Sequence, residues 1–351
     1  MILTAINSGT KALKISILTL FVTFFSFSAF CSEEKEEGEK FNASKMIVHH
    51  IGDSHEWHFG EAGHTHLTVP LPVILYSTTK GLVVFSSANF HNERGTYNGY
   101  KLEHEHIESE DESEKVYDLS ITKNVASMLI CATIMLTVFL TVSSAFKKNF
   151  GKAPKGIQSM FEPLIIFIRD DIAIPNIGEK KAMRYLPYLL TIFFFIWINN
   201  LLGLLPQGAN VSGNIAFTMV LAVFTLVITN FSGNGSYWGH ILKAPGVPVP
   251  LLIIMTPVEI IGIFTKPFAL MIRLFANITA GHIIILSILS FIFIFKNIAV
   301  AAISVPFAVV MSLLEVFVAA LQAYIFTLLS ALFIGQAVAE HEHEHSHDDH
   351  H

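Results

Sequence analysis

Two apolar stretches near the C-terminus, Leu251–Phe295 and Ile298–Ala339, run for 45 and 42 residues and are parted only by Lys296-Asn297. A helix crosses the hydrocarbon core of a bilayer in about 20 residues, and helices this long reach roughly 60 Å or more. Neither can stand upright in a membrane. Pro257, Pro267 and Pro306 permit kinks or partial breaks, yet the length still demands steep tilt or a path along the bilayer plane. An antiparallel hairpin of two long, inclined helices is the simplest arrangement. Composition agrees, because 52% hydrophobic residues, 14% charged residues and a mean hydropathy of +0.55 make lipid the expected solvent.

Three further spans precede the hairpin. Ile121–Phe146 is followed at once by Lys147, Lys148, Lys152 and Lys155, a basic end that belongs in the cytoplasm. Tyr185–Leu205 and Ile215–Phe231 have ordinary membrane length, with a Pro- and Gly-containing connection between them. Ile157, Met160, Phe161, Leu164, Ile165 and Ile168 recur at helical spacing among Glu162, Arg169, Asp170 and Asp171, which reads as an interfacial amphipathic helix or, alternatively, a buried helix of a soluble insert. The predicted fold is an all-α polytopic membrane protein of about five passes, its membrane domain covering residues 121–339.

Lys11 and Lys14 precede the apolar run Ile15–Phe30, which closes on Ser26, Ser28 and Ala29. That order predicts a signal peptide over residues 1–31, with an uncleaved anchor as the alternative. Residues 32–120 then form a His- and acid-rich extracytoplasmic extension. Within it, Val69–Ser77 and Leu82–Ser87 flank the turn-like Thr78-Thr79-Lys80-Gly81 and predict a hairpin. The acidic flanks Ser32–Lys40 and His104–Glu114 are expected to be solvated or disordered. With the extension periplasmic, five passes put the His-rich tail, residues 340–351, in the cytoplasm. Nine of the 17 histidines lie between His49 and His106; no ligand geometry is legible there, and a solvated surface is the expectation rather than a metal site. The net charge of −6 and the absence of a basic face exclude a nucleic-acid partner. No CxxC pair and no GxxxxGK[ST] phosphate loop occurs, and no cofactor is implied.

Arg273 lies near the centre of its long apolar segment, where a guanidinium costs about 2.5–3.5 kcal/mol on insertion scales and needs a partner. Glu259, Lys266 and Arg273 follow at seven-residue steps, nearly in line on a helix, with Asn277 one turn on. Glu315, Gln322 and Gln336 repeat the device on the last segment. These two polar stripes are expected to meet protein rather than lipid. His282, nine residues past Arg273, points to the opposite side of the helix. Two titratable groups on neighbouring segments, His282 and Glu315, fit a proton relay.

The stretch Pro257-Val258-Glu259 through Lys266-Pro267, Met271-Ile272-Arg273-Leu274-Phe275-Ala276-Asn277 and Ala280-Gly281-His282 resembles subunit a of the F-type ATP synthases. Leu321-Gln322-Ala323-Tyr324-Ile325-Phe326 and Asn200-Leu201-Leu202-Gly203-Leu204-Leu205-Pro206 share the resemblance, which covers roughly Ile121 to Ala339. It implies a proton-translocating stator, located in the inner membrane and not an enzyme by itself. Its implied partners are the c-subunit ring, the b-subunit peripheral stalk and the rest of the F1F0 ATP synthase. By position, Arg273 would be the essential arginine facing the c-ring carboxylate, and Asn277 and Gln322 would line the channel. Glu259 would stand in the cytoplasmic half-channel, with His282 and Glu315 as the relay of the inlet half-channel. Many bacterial members carry an acid at the position of His282 and a histidine at that of Glu315; the exchange here resembles mitochondrial relatives and implies that the two act as a pair.

The competing reading is an independent secondary or metal-ion transporter with His-rich ends. It predicts internal repeats, and none is legible. A membrane scaffold would leave Arg273, His282 and Glu315 without a purpose.

Overall fold

A computed structural model describes residues 42–62, 65–92, 95–103, 105–111, 114–148, 153–205, 207–242 and 248–339. The expected signal peptide, the acidic flank Ser32–Lys40 and the His-rich tail lie outside them. The chain divides into two compact units, one holding the residues up to Ser127 with Leu202–Ala209 and Leu286–Val305, the other holding the rest.

The first unit contains the N-terminal strand-bearing domain. Helix α1 (Ala43–Ile51) precedes eight short strands: β1 (Glu56–Ala62), β2 (Thr65–Pro70), β3 (Pro72–Ser77), β4 (Gly81–Ser86), β5 (Thr96–Tyr97), β6 (Tyr100–Glu103), β7 (His106–Ser109) and β8 (Val116–Asp118). They form three small antiparallel sheets, β1-β2, β4-β3-β8 and β5-β6-β7. The predicted hairpin is present, Ser77 pairing with Gly81 across the turn, where Gly81 takes the left-handed φ of 74°. Strand β3 alternates as a half-buried strand should, Val73 and Leu75 inward and Tyr76 outward, and its inward residues join Phe90, Tyr100 and Ile107 in the core.

The acid-rich stretch His104–Glu114 departs from expectation. Its residues His106–Ser109 form β7, because a single apolar side chain, Ile107, enters the core while His106 and Glu108 face outward. Glu114 accepts hydrogen bonds from Ser77, Thr79 (2.6 Å) and Ser109 (2.8 Å), with Lys80 3.8 Å away. Those hydroxyls hold its pKa down to about 2. Burial pushes Asp118 up, but hydrogen bonds from His55 (2.8 Å) and Ser120 outweigh it and bring the pKa to about 2.

β3 remains paired with the chain beyond β8, Leu119 N–H donating to Ile74 O and Ile121 N–H to Pro72 O. Helix α2 (Lys123–Lys148) starts two residues later. Its first amide groups are satisfied from the domain: Ser54 O accepts from Lys123 N–H at 2.8 Å, and the Asp53 carboxylate accepts from Asn124 N–H at 3.1 Å. Along α2, Thr133, Thr137 and Thr141 each donate to the carbonyl four residues back, so these three hydroxyls are satisfied within the helix. The helix ends in Lys147 and Lys148.

The second unit is helical. Helix α3 (Ile157–Phe167) runs into a π-helical turn (Ile168–Ala173) and the short α4 (Ile174–Ile177). Phe161, Ile168 and Ile172 are buried against Phe139 and Phe194, while Ile157, Met160 and Ile166 are exposed, so this element is apolar on two sides. Helix α5 (Glu179–Gly203) is a full-length span. Helix α6 (Ile215–Phe231) has 17 residues and turns by 102° into α7 (Gly235–Leu242), a broken rather than an ordinary span. Helices α8 (Val249–Phe295) and α9 (Ile298–Val338) have 47 and 41 residues and are joined at Lys296-Asn297, where Lys296 takes φ 45°. Among the described residues, four helices are long and apolar enough to cross a membrane, five if the bent α6–α7 pair is one span. The protein is therefore a polytopic helical membrane protein with a small strand-bearing N-terminal domain.

Candidate ion-translocating site

Helices α8 and α9 carry Glu259, Lys266, Arg273, His282 and Glu315. Leu270, Met271, Leu274 and Ile278 form the buried side of α8, and Ala319, Ala323 and Phe326 the buried side of α9. Alanines at the α9 contact allow close approach of neighbouring backbones, the usual device where lipid removes the hydrophobic drive. Two side-chain ties join the helices, His282 to Glu315 and Lys266 Nζ to Gln336 Oε1 at 3.0 Å. Both fit one antiparallel register, as a hairpin requires.

His282 Nδ1 and Glu315 Oε1 share a short hydrogen bond, and both residues are buried. With Glu315 ionised, Nδ1 donates; with Glu315 protonated, the carboxylic acid donates to a neutral ring. One contact therefore exists in two protonation states with little movement. Gly281 makes room for it, because a β-carbon there would lie 3.0 Å from Glu315 Oε1 and 3.2 Å from Cδ. The glycine sits in the recognised motif, but its reason is a partner 34 residues away that spacing alone does not reveal.

Arg273 stands on another face. It is exposed, as are Ala276 and Asn277 beside it, and among the described residues it has no hydrogen-bond or ion-pair partner within the chain. Gln322 is buried at 4% exposure, one turn beyond Ala319, and Glu259 is half-buried. The α9 positions Glu315 and Gln322 thus meet protein within this chain. The α8 stripe does not: of Glu259, Lys266 and Arg273, Lys266 reaches α9, at Gln336 and over the Phe333 ring at 5.6 Å.

A small cavity of about 20 Å³ adjoins this tie, with Thr229, Asn230 and Tyr237 among its lining residues together with Lys266 and Gln336. Among the described residues the buried Thr229 hydroxyl has no partner, and Tyr237 reaches Asn230 at 3.4 Å. Nothing in the sequence marked these α6 and α7 residues, since their polarity is unremarkable until the bend folds α7 back.

Other polar groups serve the frame. Tyr188 on α5, Thr225 on α6 and Ser330 on α9 form a hydrogen-bonded line of 2.8 and 3.2 Å. Lys181 and Asn234 satisfy the last carbonyls of α9 at Val338. Among the described residues, no group of three or more His, Cys, Asp or Glu is placed to hold a metal ion.

The family model described as ATP synthase A chain matches residues 125–335, and one described as a domain of unknown function matches residues 46–128. The chain is 43% identical over 322 residues to "ATP synthase subunit a 2" of Chlorobium luteolum, an alignment covering 90% of this chain and 81% of the relative. It is 52% identical over 239 residues to "ATP synthase subunit a 2" of Chlorobaculum tepidum, covering 66% and 67%. The corresponding figures for "ATP synthase subunit a" of Myxococcus xanthus are 47% over 239 residues, 66% and 77%.

Proposed function

This chain belongs to the ATP synthase A chain family, and we propose that within an inner-membrane F1F0 ATP synthase it is the stator that passes protons to and from a c-subunit ring, held there by the b-subunit stalk. The observation that carries the finer reading is the exposure of Arg273 without a partner inside the chain. A guanidinium in the apolar part of a membrane is stabilised by a counter-charge, and here that charge must come from outside. The carboxylate of a passing c subunit supplies it. Arginine suits the role because it stays protonated, attracting an ionised carboxylate without passing the proton on.

The proton then takes the long way round. His282 and Glu315 accept it in the inlet half-channel on the side of the extracytoplasmic domain and deliver it to the ring. Arg273 bars the direct path, and Asn277 and Gln322 line the neighbourhood. After rotation the proton leaves on the other side by way of Glu259. An independent transporter would have to answer Arg273 from within its own chain. The reading is tested by solubilising membranes and isolating this chain: it should come down with a c-ring and the catalytic head, and recovery of the chain without them would overturn it.

A further inference from the structure

In the sheet β4-β3-β8, Pro72-Val73-Ile74-Leu75-Tyr76 and Leu82-Val83-Val84-Phe85 are continuous apolar runs, the pattern of strands covered on both faces rather than one. The fold covers one. Val73, Leu75, Val83, Phe85 and Val116 turn to the core shared with Tyr100 and Ile107 of the neighbouring sheet. The register lays out the other face in three rows. Leu82 and Tyr117 flank Tyr76 in the first. Val84 and Leu119 flank Ile74 in the second, and Ser86 and Ile121 flank Pro72 in the third, Leu119 and Ile121 being held by N–H bonds to Ile74 O and Pro72 O. None of these side chains carries a charge, and Tyr76, Leu82, Val84, Tyr117 and Leu119 are 49–64% exposed. The sheet β5-β6-β7 is the reverse: behind its core side chains, Lys101 stands opposite Glu108 and Glu103 opposite His106 on the outer face. One small domain thus gathers charge on one side and leaves the other wholly apolar, as a surface made for contact does.

We propose that this face is seated on a lipid bilayer, at the boundary between headgroups and acyl chains. The third row points to lipid rather than to a protein. Ile121 stands two residues before Lys123, where α2 begins, and Ser54 and Asp53 hold the first amides of that helix, so the apolar face and the first turn of the span belong to one compact unit. Four residues of extended strand part the first row from the third, about 14 Å, whereas the interfacial zone on each side of a bilayer is only about 5–8 Å deep. All three rows are covered only if the sheet lies along the surface instead of standing on it. Tyr76 and Tyr117 supply amphipathic rings of the kind that settle at this depth. With no Lys or Arg on the face, the attachment comes from apolar burial and not from attraction to anionic lipid.

The test uses the full chain in its assembled complex, reconstituted in vesicles of phosphatidylcholine alone. Val84→Cys, Leu119→Cys and, on the charged face, Glu108→Cys each take a nitroxide label; Cys131 is buried and does not compete for it. Oxygen concentrates in lipid, and a water-soluble nickel chelate stays out of it. The ratio of oxygen to nickel collisions should be several-fold higher at 84 and 119 than at 108, and unchanged when anionic lipid is added. Nickel access at 84 and 119 equal to that at 108 would mean a bare face and overturn the proposal, and a label closed to both probes would overturn it in favour of a protein partner. Leu82→Glu gives a second handle, because a charge in the first row opposes burial of that row. It should raise nickel access severalfold at a label on 84 while amide exchange at Val73 and Leu75 keeps its parental rate, which shows the core intact; unchanged nickel access over that intact core would again overturn the lipid seat.

Discussion

Glu114 in the N-terminal domain and Glu315 in the helical bundle are carboxylates with side chains equally withdrawn from water, each 4% exposed, and their surroundings could hardly differ more. Glu114 is met by four hydroxyls, those of Ser77, Thr79, Ser109 and Tyr100, and approached by a lysine. It is held ionised, and its charge is spent on joining β3, β7 and the segment before β8. Glu315 has His282 as its one hydrogen-bond partner among the described residues, a side chain whose ordinary pKa lies near physiological pH. Arg273 extends the contrast, having no partner in the chain at all among the described residues. Satisfied charge builds structure; under the proposed function, the labile pair carries the proton and the unpaired cation meets the ring.

The largest effect should come from the residue most open by that measure. Arg273→Ala is expected to abolish ATP-driven proton pumping in vesicles while leaving insertion and assembly intact, since the cation contributes nothing to packing within the chain. Arg273→Lys should fail too, because a compact ammonium lacks the planar fork and loses its proton more readily in an apolar site. Normal pumping by either variant would erase the distinction drawn between the two carboxylates' settings.

An intermediate effect is expected at the labile pair. Replacing His282 or Glu315 by an apolar residue should slow ATP synthesis, because either gap strands a buried polar group and interrupts the relay. His282→Glu and Glu315→His each place two like groups in one pocket, whereas the double exchange restores one acid and one imidazole. The double variant should therefore outperform both single exchanges, with a coupling on the order of 0.5–3 kcal/mol from flux rates. Simple additivity would mean that the two residues work independently.

The smallest functional effect, and the sharpest test of the contrast, belongs to Glu114→Gln. Pumping should be unchanged, but amide exchange in the 72–118 segment should quicken at neutral pH. The sign follows from the depressed pKa: the parent's carboxylate contribution is present in full above the ordinary value near 4.5 and lost as pH falls toward about 2. The variant, lacking the charge, should show much less pH dependence in that window, and an equally acid-sensitive segment would count against the hydroxyl cage.

The same contrast governs what could be read in the sequence. The hairpin of α8 and α9, the start and basic end of α2, and the turn at Thr78–Gly81 are written in local patterns: apolar run length, terminal lysines, and a glycine between β-rich runs. The strand His106–Ser109 was illegible because charge density is local, whereas the burial of Ile107 and the binding of Glu114 depend on partners in other strands. The bend between α6 and α7 and the small cavity beside it were missed for the same reason. The site residues stood out individually because a titratable group in an apolar run is conspicuous anywhere. Their pairing was legible for His282 and Glu315 through family resemblance, but Gly281's accommodation of the carboxylate needed coordinates.

Arg273 and His282, nine residues apart on one continuous helix, have an electrical meaning as well. Half a rotation separates them, so the body of α8, about 10–12 Å across with its side chains, lies between the cation on the open face and the His282–Glu315 contact on the closed one, and under the proposed function it insulates the one from the other. Each elementary charge crossing a membrane at 100 mV carries about 2.3 kcal/mol. A path joining the two faces directly would short that circuit and release the energy as heat. The angular offset of two side chains along α8 is thus a property of the protein's efficiency, set by helical pitch and sensitive to the count of residues between them.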